Sequence, residues 1–304
     1  MGKKNIFLVL LIIGTAFWGL SFSITKLSIS NHSPQLFLLY RFIGATLVLA
    51  VVFRKKMKQL NYKSILSGAL LAIPLMLGIG LQTLGIKLTT ASQAAFLAGT
   101  TVVIVPLLKM ALYKKVPHLK IWIAAGLSLT GLFIISVKNG FAINVGDLFT
   151  IGGAIGFAYY LIRVEEEAAK VDIVATIVPM FATCALLTFG AVIWSTEESL
   201  LPADNTFWLG VIFCSLFSTA YMYSVSNVAQ QYISAERVSV IYLLEPIFGA
   251  FAAAYLIGEV ITWQLLIGGL FIFAGMGISE LKLKAFRNLF GQTAKPVTTH
   301  LNEH

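Results

Sequence analysis

Charge is what this sequence has least of. Of its 304 residues only 12% are Asp, Glu, Lys or Arg, about half of the ~25% usual in soluble domains, while 58% are hydrophobic. A water-soluble fold of this length could not hide so much apolar side chain, and a disordered chain would show the opposite bias. Histidine is also scarce: His32, His118, His300 and His304 fall in loops or the tail, outside any metal-ligand spacing. No P-loop is present, so ATP does not drive the protein directly. No Ser/His/Asp or paired-Asp set lies inside an apolar run, which argues against a membrane enzyme, and no cofactor is implied. The two cysteines, Cys184 and Cys214, each sit within an apolar run and read as small core residues rather than a disulfide or metal site.

What the chain has instead is long apolar runs. About 20 apolar residues cross ~30 Å of hydrocarbon at 1.5 Å per residue, and ten such runs are expected, at roughly 6–25, 34–53, 64–86, 91–112, 119–137, 146–162, 173–194, 206–230, 236–257 and 262–281. They are continuous, without the period-two alternation of a transmembrane barrel. Pro34, Asn139-Gly140 and Pro202-Ala-Asp-Asn punctuate them. The N-terminal run is long, and bulky Trp18 and Phe22 stand where small residues would mark signal-peptide cleavage, so it reads as a retained first span.

The net charge of +9 is an orientation signal and not a nucleic-acid footprint, because it lies in short loops rather than on a polar folded surface. With the N-terminus inside, 18 of the 22 basic residues fall in cytoplasmic segments, and only Lys26, Lys87 and Lys138 fall outside. By the positive-inside rule both termini are cytoplasmic. The segment Arg163-Val-Glu-Glu-Glu-Ala-Ala-Lys170 reads as a solvated helical connector, with Glu166 and Lys170 as an i to i+4 pair.

A weak internal repeat has an offset of 138 to 143 residues: Gly14-Thr-Ala-Phe-Trp against Gly152-Gly-Ala-Ile-Gly, Thr90-Ala-Ser-Gln-Ala against Ile233-Ser-Ala-Glu-Arg, and Gly126 against Gly269. Five spans per half is an odd number, so the second half enters the membrane in the opposite sense. Inverted repeats of this kind recur in secondary transporters, with the substrate site at their interface near the midplane. The expected units are residues 1–140, 141–284 and a short polar tail, 285–304.

Polar groups inside the runs are the candidates for function, since a charge there costs at least ~2.5–3.5 kcal/mol on insertion scales. Glu245 lies nine residues into the ninth span, about 14 Å deep by the helix rise. It reads either as a substrate-ammonium partner or proton site, or as a carboxyl hydrogen-bonded to a neighbouring helix beside a Pro246 kink. Arg41 lies about seven residues from the external surface and either snorkels there or lines the pathway. Trp18 and Phe22 share a face with Ser21 and Thr25. Ser215, Thr219, Tyr223 and Asn227 form a stripe in the eighth span, Tyr242 lies one turn before Glu245, and Tyr159 with Tyr160 sit in the sixth span. These faces suit an amphipathic organic solute or, residue by residue, interhelical packing. The same packing reading applies to Gly152 with Gly156, Ala94 with Ala98 and Gly249 with Ala253. Pro74 and Pro179 are expected to kink their spans and free carbonyls toward a cavity. Lys109 and Glu280, at span ends, suggest nothing beyond a solvated terminus.

Several of these residues carry a resemblance. Trp18-Gly-Leu-Ser-Phe with Lys26, Tyr40-Arg41-Phe42, Thr90-Ala-Ser-Gln-Ala-Ala-Phe-Leu leading to Pro106, and Leu244-Glu245-Pro246 with Gly258-Glu259 resemble the drug/metabolite transporter superfamily in its ten-helix EamA branch, over residues 6–281. The first half departs from that pattern, with Lys114-Lys115-Val116 where the second has Gly258-Glu259-Val260. The resemblance implies an all-α integral membrane fold of two inverted five-helix repeats, with spans 1, 3, 4, 6, 8 and 9 around a cavity and 5 and 10 peripheral. It also implies a carrier of the bacterial inner (plasma) membrane working by alternating access.

The expectation is a secondary transporter exporting amino acids or related amphipathic metabolites, with Trp18, Phe22, Arg41, Tyr160, Thr219, Tyr223, Tyr242 and Glu245 as cavity candidates. Its partners would be a small-molecule substrate and the lipid bilayer, with proton coupling and a homodimer both open. The alternatives are an uptake carrier or exchanger for a nucleoside-like metabolite and a non-transporting membrane scaffold.

Overall fold

The computed structural model describes residues 2–89, 91–114, 116–136, 144–195, 200–257 and 263–280, and among them every regular element is helical. In chain order these are α1 (Lys3–Ser28), α2 (Pro34–Val52), α3 (Arg54–Met57), α4 (Tyr62–Leu88), α5 (Ala91–Gly99), α6 (Thr101–Tyr113), α7 (Leu119–Ser136), α8 (Val145–Ala168) and α9 (Ile173–Ser195). Then come α10 (Asn205–Phe213), α11 (Met222–Ala229), α12 (Ala235–Tyr242), α13 (Glu245–Ile257) and α14 (Trp263–Glu280). A π-helical segment, Cys214–Tyr221, joins α10 to α11 into one rod. Among the described residues six helices, α1, α2, α4, α8, α9 and this rod, are long and apolar enough to cross a bilayer. The other four expected spans correspond to shorter pieces, α5 with α6, α7, α12 with α13, and α14.

The sequence starts these helices where it can satisfy their first N–H groups. Ser33 accepts from the Leu36 N–H with Pro34 in the first turn, and Asn61 accepts from the Ser64 N–H. Asn144 and Asp147 form a reciprocal capping box at the start of α8. Each such cap is worth ~1 kcal/mol, and in a membrane it also fixes where a span begins.

Two expected spans are broken. The fourth divides between α5 and α6 at Thr100, whose N–H bonds back only three residues, to Leu97. The ninth divides at Leu243 and Leu244, whose N–H groups bond to Val240 and Ile241 with the same tightened spacing. Pro246 has no N–H to return to the Tyr242 carbonyl, so the α-helical ladder cannot run through this point, and α13 restarts with Glu245 as its first residue. Pro74 and Pro179, by contrast, lie inside the continuous helices α4 and α9.

Small residues let the helices approach closely. A Cβ on Gly153 would stand 2.8 Å from the Gly78 carbonyl oxygen, so α4 and α8 pack backbone to backbone there. Gly19 on α1 faces Gly249 on α13 in the same manner, and Gly131 on α7 faces Gly268 on α14. Between these seams the largest fully buried side chains, including Tyr160, Phe42, Phe181 and Phe37, fill the interior. Both cysteines are buried and free. The 140/141 boundary, Gly258-Glu259 and the tail 285–304 lie outside the described residues.

Candidate functional site

The helix breaks and the glycine seam enclose a central cavity. It holds about 770 Å³ of atom-free space including its mouth, of which about 50 Å³ admits the centre of a water molecule. The cavity is therefore narrow, with walls close enough to grip a small solute. α1 supplies Trp18, Ser21, Phe22 and Thr25; α4 supplies Gln82 and Thr83; α8 supplies Phe157; and α11 supplies Tyr223. Ala98, Gly99 and Thr101 come from the α5–α6 break, and Ser239, Tyr242, Glu245 and Pro246 from the α12–α13 break. α2 adds Arg41, so the second span joins those that the family resemblance places around the cavity. α7, α9 and α14 contribute none of the lining, nor do Pro74 and Pro179.

Arg41 does not snorkel. It is 7% exposed, and its guanidinium is held by the π-helical segment: Nε donates to Thr219 Oγ1 at 2.6 Å and Nη2 to Ser218 Oγ at 3.2 Å. Ser215 Oγ in turn donates to the Arg41 carbonyl at 3.0 Å. A π turn is wider than an α turn and is used mostly in short stretches at functional sites. Here its hydroxyls at 215, 218 and 219 converge on one arginine. The Trp18 indole N–H donates to the Ser218 carbonyl at 2.7 Å, so the same segment also orients the aromatic face of α1.

The aromatic wall is a single cluster. Trp18 lies edge-on to Tyr242 at 4.8 Å, Tyr223 at 5.4 Å and Phe157 at 5.6 Å between ring centroids. Tyr242 shares a short hydrogen bond with Ser226. Glu245 is 9% exposed and lines the cavity. No hydrogen bond or ion pair engages its carboxyl among the described residues, which sets aside a carboxyl locked to a neighbouring helix. Arg41 and Glu245 thus line one cavity without pairing with each other.

Six of the eight candidate residues lie on the cavity: Trp18, Phe22, Arg41, Tyr223, Tyr242 and Glu245. Thr219 and Tyr160 stand behind it. Thr219 holds Arg41, and Tyr160 donates to Asn227 Oδ1 at 2.6 Å while packing against Phe157 and Tyr223. Sequence reasoning missed Gln82, Thr83, Phe157 and Ser239. The lone amide at Gln82 inside an apolar run was the available signal, and Phe157 sits four residues past the close-packed Gly153.

Beyond Tyr242 and Ser239 a cluster of paired charges joins three helices. Lys109 Nζ lies 2.5 Å from Glu165 Oε2 and 3.0 Å from Glu236 Oε2, and Glu165 Oε2 also accepts the Ala235 N–H at 2.9 Å. Lys109 is therefore more than a solvated terminus, since it ties α6 to α8 and α12. The expected connector is likewise anchored. Lys170 pairs with Glu167 at 3.5 Å rather than with Glu166, Arg163 pairs with both Glu166 and Glu167, and Ser67 Oγ donates to Glu167 Oε2 at 2.8 Å.

At the opposite end, Lys26 closes α4. Its Nζ donates to the carbonyls of Ile86, Lys87 and Thr89 at 2.6, 3.0 and 2.8 Å. These are carbonyls that a helix C-terminus leaves without internal partners.

A helical bundle with lipid-length apolar helices around a narrow cavity is the architecture of a multi-pass membrane protein. The EamA-like transporter family matches residues 5–137 and 144–280, and the chain belongs to that family. It is 24% identical over 266 residues to an uncharacterized transporter of Archaeoglobus fulgidus, covering 88% of this chain and 83% of that one. It is 22% identical over 302 residues to the uncharacterized transporter YdfC of Bacillus subtilis, covering 95% and 96%. A solved crystal structure superposes with a TM-score of 0.76 at 14% identity, covering 94% of this chain and 99% of its own, which shows the same fold.

Proposed function

We propose that this EamA-family transporter carries zwitterionic amphipathic metabolites, amino acids or close relatives, and exports them by alternating access. The observation that carries this reading is the pair Arg41 and Glu245, facing one aromatic-walled cavity without neutralising each other. A carboxylate could dock on the guanidinium that Ser218 and Thr219 hold in place, with the forked geometry arginine offers to carboxylates. An ammonium could meet Glu245 and the faces of Trp18 and Tyr242. The narrow aromatic space between would take an apolar side chain.

Alternating access fits the closed and open ends. The cavity reaches toward the last turns of α1 and α4, where Thr25 and Ile86 line it, while the Lys109 cluster seals the other side. The two family matches support two repeats of like fold, and the breaks at Thr100 and Leu243 are 143 residues apart, within the offset of the sequence repeat. We assign ten spans, an inverted pairing of the halves, cytoplasmic termini and a bacterial inner-membrane location on the same grounds together with the charge asymmetry.

Counterflow in proteoliposomes with amino-acid and nucleoside panels tests the substrate class, and efflux from preloaded intact cells tests the direction. Amino acids should exchange and nucleosides should not. Glu245→Gln should abolish exchange or its pH dependence; if both persist unchanged, the role given to Glu245 is wrong. Exchange of nucleosides alone would favour the nucleoside-like carrier.

A further inference from the structure

A second cavity lies at the basic end of the bundle, between the turn that follows α3 and the turn that joins α8 to α9. It holds about 650 Å³ of atom-free space including its mouth. Lys56, Lys63 and Lys170 line it, with Asp172 as the one acid. Asp172 is occupied by Lys56 at 2.5 Å and also accepts the Val174 N–H. Among the described residues Lys170 has only the 3.5 Å pairing with Glu167. Lys63 has no hydrogen bond or ion pair among the described residues. The lining therefore keeps an excess of positive charge.

Two further features make this an anion site rather than a scatter of lysines. The cavity receives the N-terminus of the 27-residue α4, where the Tyr62 and Lys63 N–H groups have no partner inside the helix and the helix dipole is positive. Ser64 also lines the cavity; the residue is 4% exposed, and its hydroxyl, which has no hydrogen-bond partner among the described residues, is open to the cavity. An oxyanion with several acceptor oxygens would satisfy the ammonium groups, the helix N–H groups and this hydroxyl together.

The surroundings identify the anion. On α4, directly beside the basic residues, Tyr62, Ile65, Leu66 and Leu70 are exposed apolar side chains of the kind that faces acyl chains. A phosphate seated against Lys63 and Ser64 would thus lie at headgroup level with its tails along α4. Basic pockets of this kind between membrane helices suit anionic headgroups. We propose that this cavity binds the phosphodiester of an anionic membrane lipid.

The test is thermal unfolding of the full-length protein in detergent, titrated separately with short-chain phosphatidylglycerol, short-chain phosphatidylcholine and sodium phosphate. Phosphatidylglycerol should raise the apparent midpoint by mass action, and phosphatidylcholine, whose choline the lysines repel, should do so far less. Lys63→Gln and Lys170→Gln, both surface changes that leave the fold alone, should each weaken the phosphatidylglycerol affinity about fivefold, the equivalent of ~1 kcal/mol per lysine near a headgroup. Ser64→Ala should weaken it further, while Lys58→Gln, which removes the same charge outside the cavity, should leave it unchanged. Equal stabilisation by the two lipids, or equal losses in Lys63→Gln and Lys58→Gln, would overturn the proposal. A full shift with sodium phosphate alone, lost in Lys63→Gln, would keep the phosphate site and reject the lipid as its source.

Discussion

The central cavity and the Lys109 cluster are parts of the same bundle that treat charge in opposite ways. Around Lys109 two carboxylates and an ammonium saturate one another within 3.0 Å, with a backbone N–H added. In the cavity, Arg41 is held by neutral hydroxyls and Glu245 by nothing charged. A paired cluster suits a seal, because its charges have no reason to admit a solute. An unpaired set suits a binding site, because the solute itself can complete it. Acidic and basic side chains thus pair off in one region and stay unpaired in the other.

The largest effect should come from removing the guanidinium. Arg41→Ala should lower counterflow in proteoliposomes more than tenfold, over ~1.4 kcal/mol, and Arg41→Lys should recover little because a point charge cannot fork to both Ser218 and Thr219. Wild-type exchange in Arg41→Ala would break the contrast at once. Next is the seal: a double-mutant cycle of Lys109→Met with Glu165→Gln should give a coupling of about 1–3 kcal/mol in denaturant unfolding, as for other partly buried networks. Lys109→Met should also speed thiol labelling of a Ser239→Cys probe from the basic face, and unchanged labelling would mean the cluster seals nothing.

Smaller effects sharpen the comparison. Tyr242→Phe leaves the buried Ser226 hydroxyl without its partner, and should cost about 1–2 kcal/mol of stability while leaving the preference for amino acids intact. Smallest of all, Glu166→Gln removes a partly exposed ion pair with Arg163. It should change stability by no more than ~0.5 kcal/mol, which would distinguish charges that seal from charges that merely sit near the seal.

Much of the fold was legible because a bilayer demands long apolar runs and repels charge, and both survive in composition averaged over 20 residues. The positions of Trp18, Tyr242 and Glu245 on one cavity follow from the same rule, since a polar or aromatic group retained in a span needs a reason. The ninth span was expected to kink at Pro246, and it breaks there, at Leu243 and Leu244. The break at Thr100 was not legible, because it depends on a hydrogen bond changing register while the apolar character on both sides is unaltered. The π-helical segment escaped for a related reason: the stripe of Ser215, Thr219, Tyr223 and Asn227 recurs every fourth residue whether the turn is wide or narrow. For Arg41 the sequence left snorkelling and pathway lining both open, because its partners Ser218 and Thr219 lie on another helix that residue spacing along α2 does not reveal.

Lys26 has a mechanical consequence. By grasping three carbonyls at the end of α4 it pins the tips of α1 and α4 together, so any tilt between these two helices turns about that corner. α4 is about 40 Å long at 1.5 Å per residue, and displacement grows along a lever with distance from its fulcrum. The far end of the lever is Lys63 and Ser64, at the mouth of the basic pocket. A rocking motion that leaves the pinned corner still therefore sweeps widest at that end.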